Sequence, residues 1–229
     1  MKNTYGNVKH FARDLIILVL GIVLSLMLND WRENRSARTD EMRVVNQMVE
    51  DLASDTSMIG EALLMLQELK TMSRFASSAD ALDSDSLLDA GMTIWSLSTY
   101  LPIVPQKTAF YELTYQDQHR NIRAPGVASS FINLHEDTYN LLDMIIEVHG
   151  RYILEDYVPF LNESMPTEKN ILRSDRAALD RVKAQLESSE MQNRLAFLAT
   201  IISNVEGVMT SSASEASALL TTIKEKYNL

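Results

Sequence analysis

The sequence predicts an all-α protein in which an N-terminal transmembrane helix continues into a long helix and an antiparallel helical bundle follows. Only 7 glycines and 5 prolines occur in 229 residues, and few turn residues favour long helices over short strands. Residues 15–28 carry no charge, and apolar residues recur at heptad spacing in later segments. We therefore divide the chain into a tail (1–10), a transmembrane helix (11–31) and an acidic helical-bundle domain (32–229).

The membrane segment extends from Phe11 to Trp31. At about 1.5 Å per residue, a helix of this length spans a hydrocarbon core of roughly 30 Å. Its uncharged stretch also has the length of a signal-peptide apolar region. However, no small-x-small cleavage site follows, and Asn29 and Asp30 lead directly into a charged helical segment. The sequence thus favours a permanent anchor over a cleaved signal peptide.

The formal net charge of −10 is unevenly distributed along the chain. Residues 1–43 hold seven basic and five acidic side chains, so they carry +2 and residues 44–229 carry −12. An acidic domain repels phosphate backbones, so no nucleic acid is expected as a partner. Three basic residues, Lys2, Lys9 and Arg13, lie before or at the start of the membrane segment and three, Arg32, Arg35 and Arg38, lie after it, so charge does not fix its orientation. The short N-terminal tail favours a cytoplasmic N-terminus and a periplasmic, extracytoplasmic bundle.

Two features of the membrane segment could carry function. Gly21 and Ser25 form a small-xxx-small pair, which lets two such helices approach closely and predicts a homo-oligomer. Arg13, Asp14 and Asn29 form a possible intramembrane polar site, because an acidic residue in a membrane segment is a candidate for an ion pathway. The alternative is that Arg13 and Asp14 lie at the level of the lipid headgroups, paired or hydrated.

The first half of the bundle domain predicts one long helix and two short ones. The long helix runs from Asp40 to about Arg74 and continues from the membrane segment without a glycine or proline at the junction. Asp55 interrupts its apolar stripe, which comprises Val45, Met48, Leu52, Ile59, Ala62, Leu66 and Leu69. The short helices are predicted to run from Asp83 or Ser84 to Thr99 and from Pro105 to Gln118.

The second half predicts two long helices separated by a polar one over residues 174–187. The first begins at Ser129 or Ser130 and has one face formed by Phe131, Leu134, Leu141, Ile145, Val148 and Tyr152. Ser189 and Gln192 form a capping box for the last helix. Its stripe comprises Leu195, Leu198, Ile202, Val205, Met209, Ser212, Ala216, Leu219 and Ile223. Each stripe requires a partner, which predicts an antiparallel bundle with coiled-coil-like packing.

The sequence contains no signature of catalysis. Phosphate-binding and dinucleotide-binding glycine loops, nucleophile elbows, zinc-protease motifs and E-x-x-H pairs are all missing from it, and it has no cysteine. His135 and His149 lie about 21 Å apart on one predicted helix, too far to share a metal ion. We therefore predict no enzyme, no catalytic residues, no cofactor and no metal site.

One small-molecule site is conceivable. Tyr111, Tyr115, Arg120 and Arg123 form a possible ligand pocket, because guanidinium groups beside tyrosines suit an anionic ligand. The alternative is that the aromatic residues of this segment belong to the core.

Residues 11–35 resemble the beginning of an uncharacterised family of bacterial membrane proteins, a family defined by a domain of unknown function. Its members have one N-terminal span, an Asn-Asn-Trp-like exit, here Asn29-Asp30-Trp31, and a charged helix. Residues 108–122 and the last helix from Arg194 are also similar. The chain departs from the family at residues 116–120, where members have Ser-Gly-Asn followed by Leu or Ile. The resemblance implies a bacterial source and a single-pass topology in the inner (cytoplasmic) membrane, and it implies no reaction.

The leading hypothesis is a non-enzymatic interaction or scaffold subunit of a membrane complex. Its expected partners are the lipid bilayer and either a second copy of the chain or another membrane protein. A second hypothesis is an oligomeric ion channel, or the small subunit of an ion-driven complex, with Asp14, Ser25 and Asn29 facing a pore. A third is an extracytoplasmic ligand-binding sensor module.

Overall fold

The computed structural model describes residues 4–77, 84–100, 102–115, 121–165 and 176–229. All the regular secondary structure in these ranges is helical, so the all-α prediction is confirmed. In chain order the helices are α1 (Thr4–Ser77), α2 (Ser84–Ser96), α3 (Thr108–Tyr115), α4 (Val127–Asn133), π1 (Leu134–Tyr139), α5 (Asn140–Arg151), π2 (Tyr152–Tyr157), α6 (Val158–Ser164), α7 (Arg176–Glu187) and α8 (Ser189–Tyr227). The segments π1 and π2 are π-helical, and α4 to α6 form one continuous helix through them.

The core of the helical bundle is built around α1 and α8. Helix α1 has 74 residues and is therefore about 110 Å long. All seven apolar residues of its predicted stripe are buried. The stripe predicted for α8 is buried as well, except for Leu219, which is half-buried. Side-chain contacts join Glu41 of α1 to Tyr227 of α8 and Lys70 of α1 to Glu206 of α8.

The starts of three helices differ from the prediction, and one of them is α3, which begins at Thr108 rather than at Pro105. Helix α8 is capped by Ser188 rather than Ser189, because Ser188 has extended backbone angles and its hydroxyl accepts the Met191 N–H at 3.2 Å. The Gln192 side chain donates to the Leu186 carbonyl instead of completing a capping box. Helix α4 begins directly after Gly126, whose positive φ of 79° favours glycine at the turn before it.

The π-helical segment π1 changes which residues of the following helix face the core. Leu141, Ile145 and Val148 were predicted to be buried, but Leu141 and Val148 are exposed and Ile145 is half-buried. The buried positions are Leu142, Ile146 and His149, each one residue later. A π-helical turn contains an extra residue, so it moves every later side chain round the helix by about one position.

Among the described residues, one helix, α8, is long and apolar enough to cross a membrane. Its most apolar stretch has a mean hydropathy of 1.2. The prediction instead gave this role to the N-terminal segment of α1. The two segments differ in packing, because α8 contributes ten buried residues to the bundle whereas residues 15 and 17–28 of α1 are all exposed. Side-chain burial in α1 becomes continuous only from Glu41 onward.

The shift caused by π1 can be tested with two neighbouring leucines. Leu142→Ala removes a side chain that is 0% exposed, and we expect it to lower the free energy of unfolding by about 2–5 kcal/mol. Leu141 is 47% exposed, so Leu141→Ala should change it by less than about 0.5 kcal/mol. Urea unfolding of the full chain in mild detergent, followed by circular dichroism, measures both. Equal losses, or a larger loss for Leu141→Ala, would contradict the shifted helix.

Candidate functional site

The predicted association pair lies on the exposed part of α1. Gly21 and Ser25 are four residues apart in one continuous helix and therefore share a face. Apart from its two chain neighbours and the local backbone of α1, no atom of the described residues lies within 4 Å of the position that a Cβ on Gly21 would occupy. The helix surface at this pair is thus open to a second helix.

The predicted intramembrane polar site is described only in part. The side chains of Arg13 and Asp14 lie outside the described residues. Asn29 is exposed on α1. The ion-pathway hypothesis therefore stays a prediction.

The structure does not bring the described members of the predicted ligand pocket together. Tyr111 and Tyr115 lie on α3, 49% and 80% exposed, with ring centroids 5.6 Å apart. Arg123 lines a separate cleft whose lining residues include neither tyrosine. Arg120 lies outside the described residues. The tyrosine that lines the cleft together with Arg123 is Tyr227, which the sequence analysis did not single out.

That cleft lies where α1 leaves the bundle. Its volume is about 420 Å³, and it is lined by Arg38, Glu41, Met42, Arg123, Ala124, Lys226, Tyr227 and Asn228. Glu41 is buried at its base and accepts hydrogen bonds from the Arg123 N–H and the Tyr227 hydroxyl, both at 2.7 Å. The Arg123 Nε lies 3.6 Å from the same carboxylate, and the Lys226 ammonium donates to the Pro125 carbonyl at 2.7 Å. Three chain segments and three cations therefore meet around one buried acid.

Two further acids of α1 are buried beside α3. Asp51 Oδ2 accepts the Ala109 N–H at 2.8 Å, and its Oδ1 accepts from the Gln47 amide at 2.8 Å. Asp55, the residue that interrupts the apolar stripe, accepts the Gln106 N–H at 2.8 Å. These bonds satisfy N–H groups at the start of α3 and in the segment before it. Sequence reasoning missed the role, and the only signal was the charge of Asp55 within an apolar stripe.

His135 lies in an aromatic cage within π1. Its ring centroid is 4.8 to 5.0 Å from those of Phe131, Tyr139 and Phe110, and the residue is 4% exposed. Neither ring nitrogen has a hydrogen-bond partner among the described residues. Burial, with a smaller contribution from the Lys107 ammonium, lowers the pKa of His135 to about 4. The imidazole is therefore neutral at physiological pH.

Tyr139, one of the rings of this cage, interacts electrostatically with Asp55. Among the described residues, Asp55 Oδ2 and the Tyr139 hydroxyl have no partner in hydrogen-bond geometry. Burial raises the pKa of Asp55 to about 6, opposed by the hydrogen bond from Gln106 and reinforced by the neighbouring Asp51. Burial and the Asp55 carboxylate hold the pKa of Tyr139 above its ordinary value. The cluster therefore carries a carboxylate that is costly to ionise.

The second buried histidine, His149, lies near the ring of Tyr100, at a centroid distance of 6.5 Å. Burial lowers its pKa as well. Within the described ranges, no group of three or more histidine, aspartate or glutamate side chains is placed to hold a metal ion. The polar groups that the structure does bring together are those that fix the short segments to α1 and those that line the cleft.

A comparison of the chain with protein-family models, with curated proteins and with solved structures finds no match in any of the three.

The buried acid next to the aromatic cage predicts an unusual pH dependence. Because the pKa of Asp55 rises from 3.8 to about 6 on folding, the folded protein binds more protons than the unfolded chain between these values. The stability contribution of Asp55 therefore falls as pH rises through 6. We expect Asp55→Asn to raise the free energy of unfolding by about 1–3 kcal/mol at pH 8 and by close to zero at pH 4. Thermal unfolding of the full chain at both pH values measures this.

His135→Leu provides a comparison of opposite sign. The pKa of His135 falls on folding from 6.5 to about 4, so its cost grows as pH falls through this window. Removing it should stabilise the protein more at pH 4 than at pH 8. The exposed Glu50→Gln serves as the control for the loss of one carboxylate elsewhere on α1. A loss of stability at pH 8 in Asp55→Asn would show that the ionised carboxylate is the favoured form, contrary to the expectation.

Proposed function

We propose that this protein is a membrane-anchored interaction or scaffold subunit that performs no catalysis. In this proposal, residues 11–31 cross the bacterial inner membrane, and an antiparallel helical bundle stands outside it on the extracytoplasmic side. The chain associates with a second copy of itself, and the assembly holds a further membrane protein. One observation carries the proposal: the same continuous helix, α1, has an exposed apolar segment near its N-terminus and packs into the bundle from Glu41 onward.

The exposure of the N-terminal half of α1 supports the anchor. Leu15, Leu18 and Leu24 are each 50% or more exposed, and so are most other large apolar side chains between them. A continuous apolar surface of this kind is unfavourable in water and favourable in hydrocarbon. Trp31 follows it, with the Arg35 guanidinium 5.6 Å from the centre of its ring, an arrangement typical of a membrane interface.

The packing of α8 argues against α8 as the anchor. Its buried residues face α1 in the bundle, and they include Leu195, Ile202, Met209 and Ile223. Transfer of α8 into lipid would expose the matching stripe of α1 and remove the largest packed surface of the domain. The antiparallel arrangement is supported by the order of the contacts, because Glu41 meets Tyr227 and the later Lys70 meets the earlier Glu206.

The continuity of α1 supports a role as a spacer. Ten residues separate Trp31 from Glu41, which corresponds to about 15 Å along the helix axis. This stretch contains neither glycine nor proline. The bundle is therefore held at a fixed distance from the bilayer, as a scaffold requires.

The anchor is tested by placing charges in it. We expect the wild-type full chain to stay in the membrane pellet after extraction with alkaline carbonate. Val19→Lys combined with Val23→Lys should release it, because each lysine costs about 2.5–3.5 kcal/mol at the centre of a membrane helix. Leu64→Lys with Met65→Lys is the matched control, since these exposed residues lie on the bundle, and it should leave the protein in the pellet. Release of the wild-type chain by carbonate would refute the anchor.

Self-association is tested by filling the open face of α1. We expect the wild-type protein in mild detergent to have the mass of a homo-oligomer by light scattering. Gly21→Leu with Ser25→Leu should reduce this to the monomer mass, because bulky residues prevent close approach of the two helices. Val23→Leu with Met27→Leu alters the opposite face and should leave the mass unchanged. A strictly monomeric wild-type protein that also captures no partner on crosslinking in cells would refute the scaffold role.

A further inference from the structure

We propose that the cleft around Glu41 binds a phosphate group, and that in the membrane-anchored protein an anionic phospholipid headgroup supplies it. The cleft lies between the exit of α1, the turn before α4 and the end of α8. The choice of a lipid as the source depends on the anchor proposed above. Binding of phosphate by the cleft does not depend on it.

The charge of the cleft favours an anion although the protein as a whole is acidic. Arg38, Arg123 and Lys226 line it, and Glu41 is the one carboxylate among its lining residues. That carboxylate is only 5% exposed, and its hydrogen bonds come from the Arg123 N–H and the Tyr227 hydroxyl. The second oxygen of this buried carboxylate lies 3.6 Å from the Arg123 Nε, so Glu41 offsets part of the Arg123 charge. With three cations and one carboxylate, the lining residues still carry a net positive charge. The guanidinium group of Arg123, 56% exposed, presents a planar set of donors that matches phosphate.

Two of the three cations are held in place by the fold. Glu41 accepts the backbone N–H of Arg123, which fixes the turn that carries this residue against α1. The Lys226 ammonium has three N–H donors and uses one of them in its hydrogen bond to the Pro125 carbonyl. The carbonyl end of α8 adds partial negative charge here. Lys224 and Lys226 in the last turn of the helix offset it.

The position of the cleft suits a lipid headgroup. Arg38 follows Trp31 by seven residues, or about 10 Å along α1. Polar headgroups extend about 5–8 Å beyond the hydrocarbon on each side of a bilayer, and an arginine side chain reaches several ångströms further. An anchor that ends at Trp31 therefore places phosphates within reach of the cleft. A soluble phosphate could occupy the same donors, and the experiment separates these sources.

The test uses the full chain in detergent, titrated with phosphatidylglycerol, with phosphatidylcholine and separately with inorganic phosphate, and bound molecules are counted by native mass spectrometry. We expect phosphatidylglycerol to bind more tightly than phosphatidylcholine. Arg38→Gln with Lys226→Gln should weaken it about fivefold per cation removed, since each basic residue contributes about 1 kcal/mol near an anionic surface. Arg38→Lys with Lys226→Arg keeps both charges and should retain most of the affinity.

The matched control removes two cations elsewhere. Arg151→Gln with Lys183→Gln changes the net charge equally and leaves the cleft intact. Lys183 lies on α7, which precedes the start of α8, whereas the cleft lies at the end of α8, about 57 Å further along that helix. This variant should bind as the wild type does. Equal weakening in the two pairs would overturn the proposal, because it would reduce the effect to net charge. So would equal affinity for both lipids together with no binding of inorganic phosphate.

The remaining outcomes identify the source of the phosphate. If inorganic phosphate binds and competes with the lipid, the cleft is a phosphate site open to both. If inorganic phosphate does not compete, the headgroup with its acyl chains is the ligand. A chain that carbonate releases, but that binds inorganic phosphate through Arg38 and Lys226, would retain the cleft and lose the anchor. Failure of the cleft and failure of the proposed function are thus distinguishable.

Discussion

Carboxylates of α1 hold the irregular connections of this protein by accepting their backbone N–H groups. Ile103 is buried in the segment before α3. Because this segment is not helical, its main-chain N–H groups do not have the carbonyl acceptors that a helix provides. A buried N–H without an acceptor costs about 1–3 kcal/mol. Asp55 and Asp51 provide the acceptors at Gln106 and Ala109, and Glu41 does the same at Arg123. Helix α1 is therefore both half of the apolar core and the template on which the connections are arranged.

This role of α1 explains why a carboxylate, that of Asp55, is buried beside π1. Asp55 must stay near Gln106 to accept its N–H, and its second oxygen is buried in the region of the Tyr139 side chain. Ionising the carboxylate there is unfavourable, and protonating the imidazole is unfavourable as well. As the pH falls from about 6 to about 4, the cost of burying Asp55 decreases while the cost of burying His135 increases, so the two changes oppose each other.

The sequence was sufficient for features that depend on local periodicity and insufficient for those that depend on distant contacts. The stripes of α1 and α8 follow heptad spacing, and their burial could be predicted residue by residue. The single-residue shift after π1 could not, because it arises from the insertion of one residue into a helix that otherwise looks regular. The partners of Asp51, Asp55 and Glu41 lie more than fifty residues away. For the same reason only one residue of the cleft, Arg123, was among the predicted ligand-binding residues. Arg123 was expected to bind an anion with Tyr111, yet the fold places it beside Arg38 and Lys226.

The rigidity of α1 also limits how two copies can be arranged. Helices that associate through a small-xxx-small pair often cross at about 40°. Glu41 lies about 27 Å along α1 from the midpoint of Gly21 and Ser25, so the two axes would be about 20 Å apart there. This is about the width of two helices side by side, which leaves room for one bundle on each axis with little contact between them at their bases. The lining of the cleft includes neither Gly21 nor Ser25, so the proposed association uses a different part of α1. Association in the membrane and phosphate binding at the clefts are therefore compatible, because the uninterrupted helix between them keeps the two sites apart.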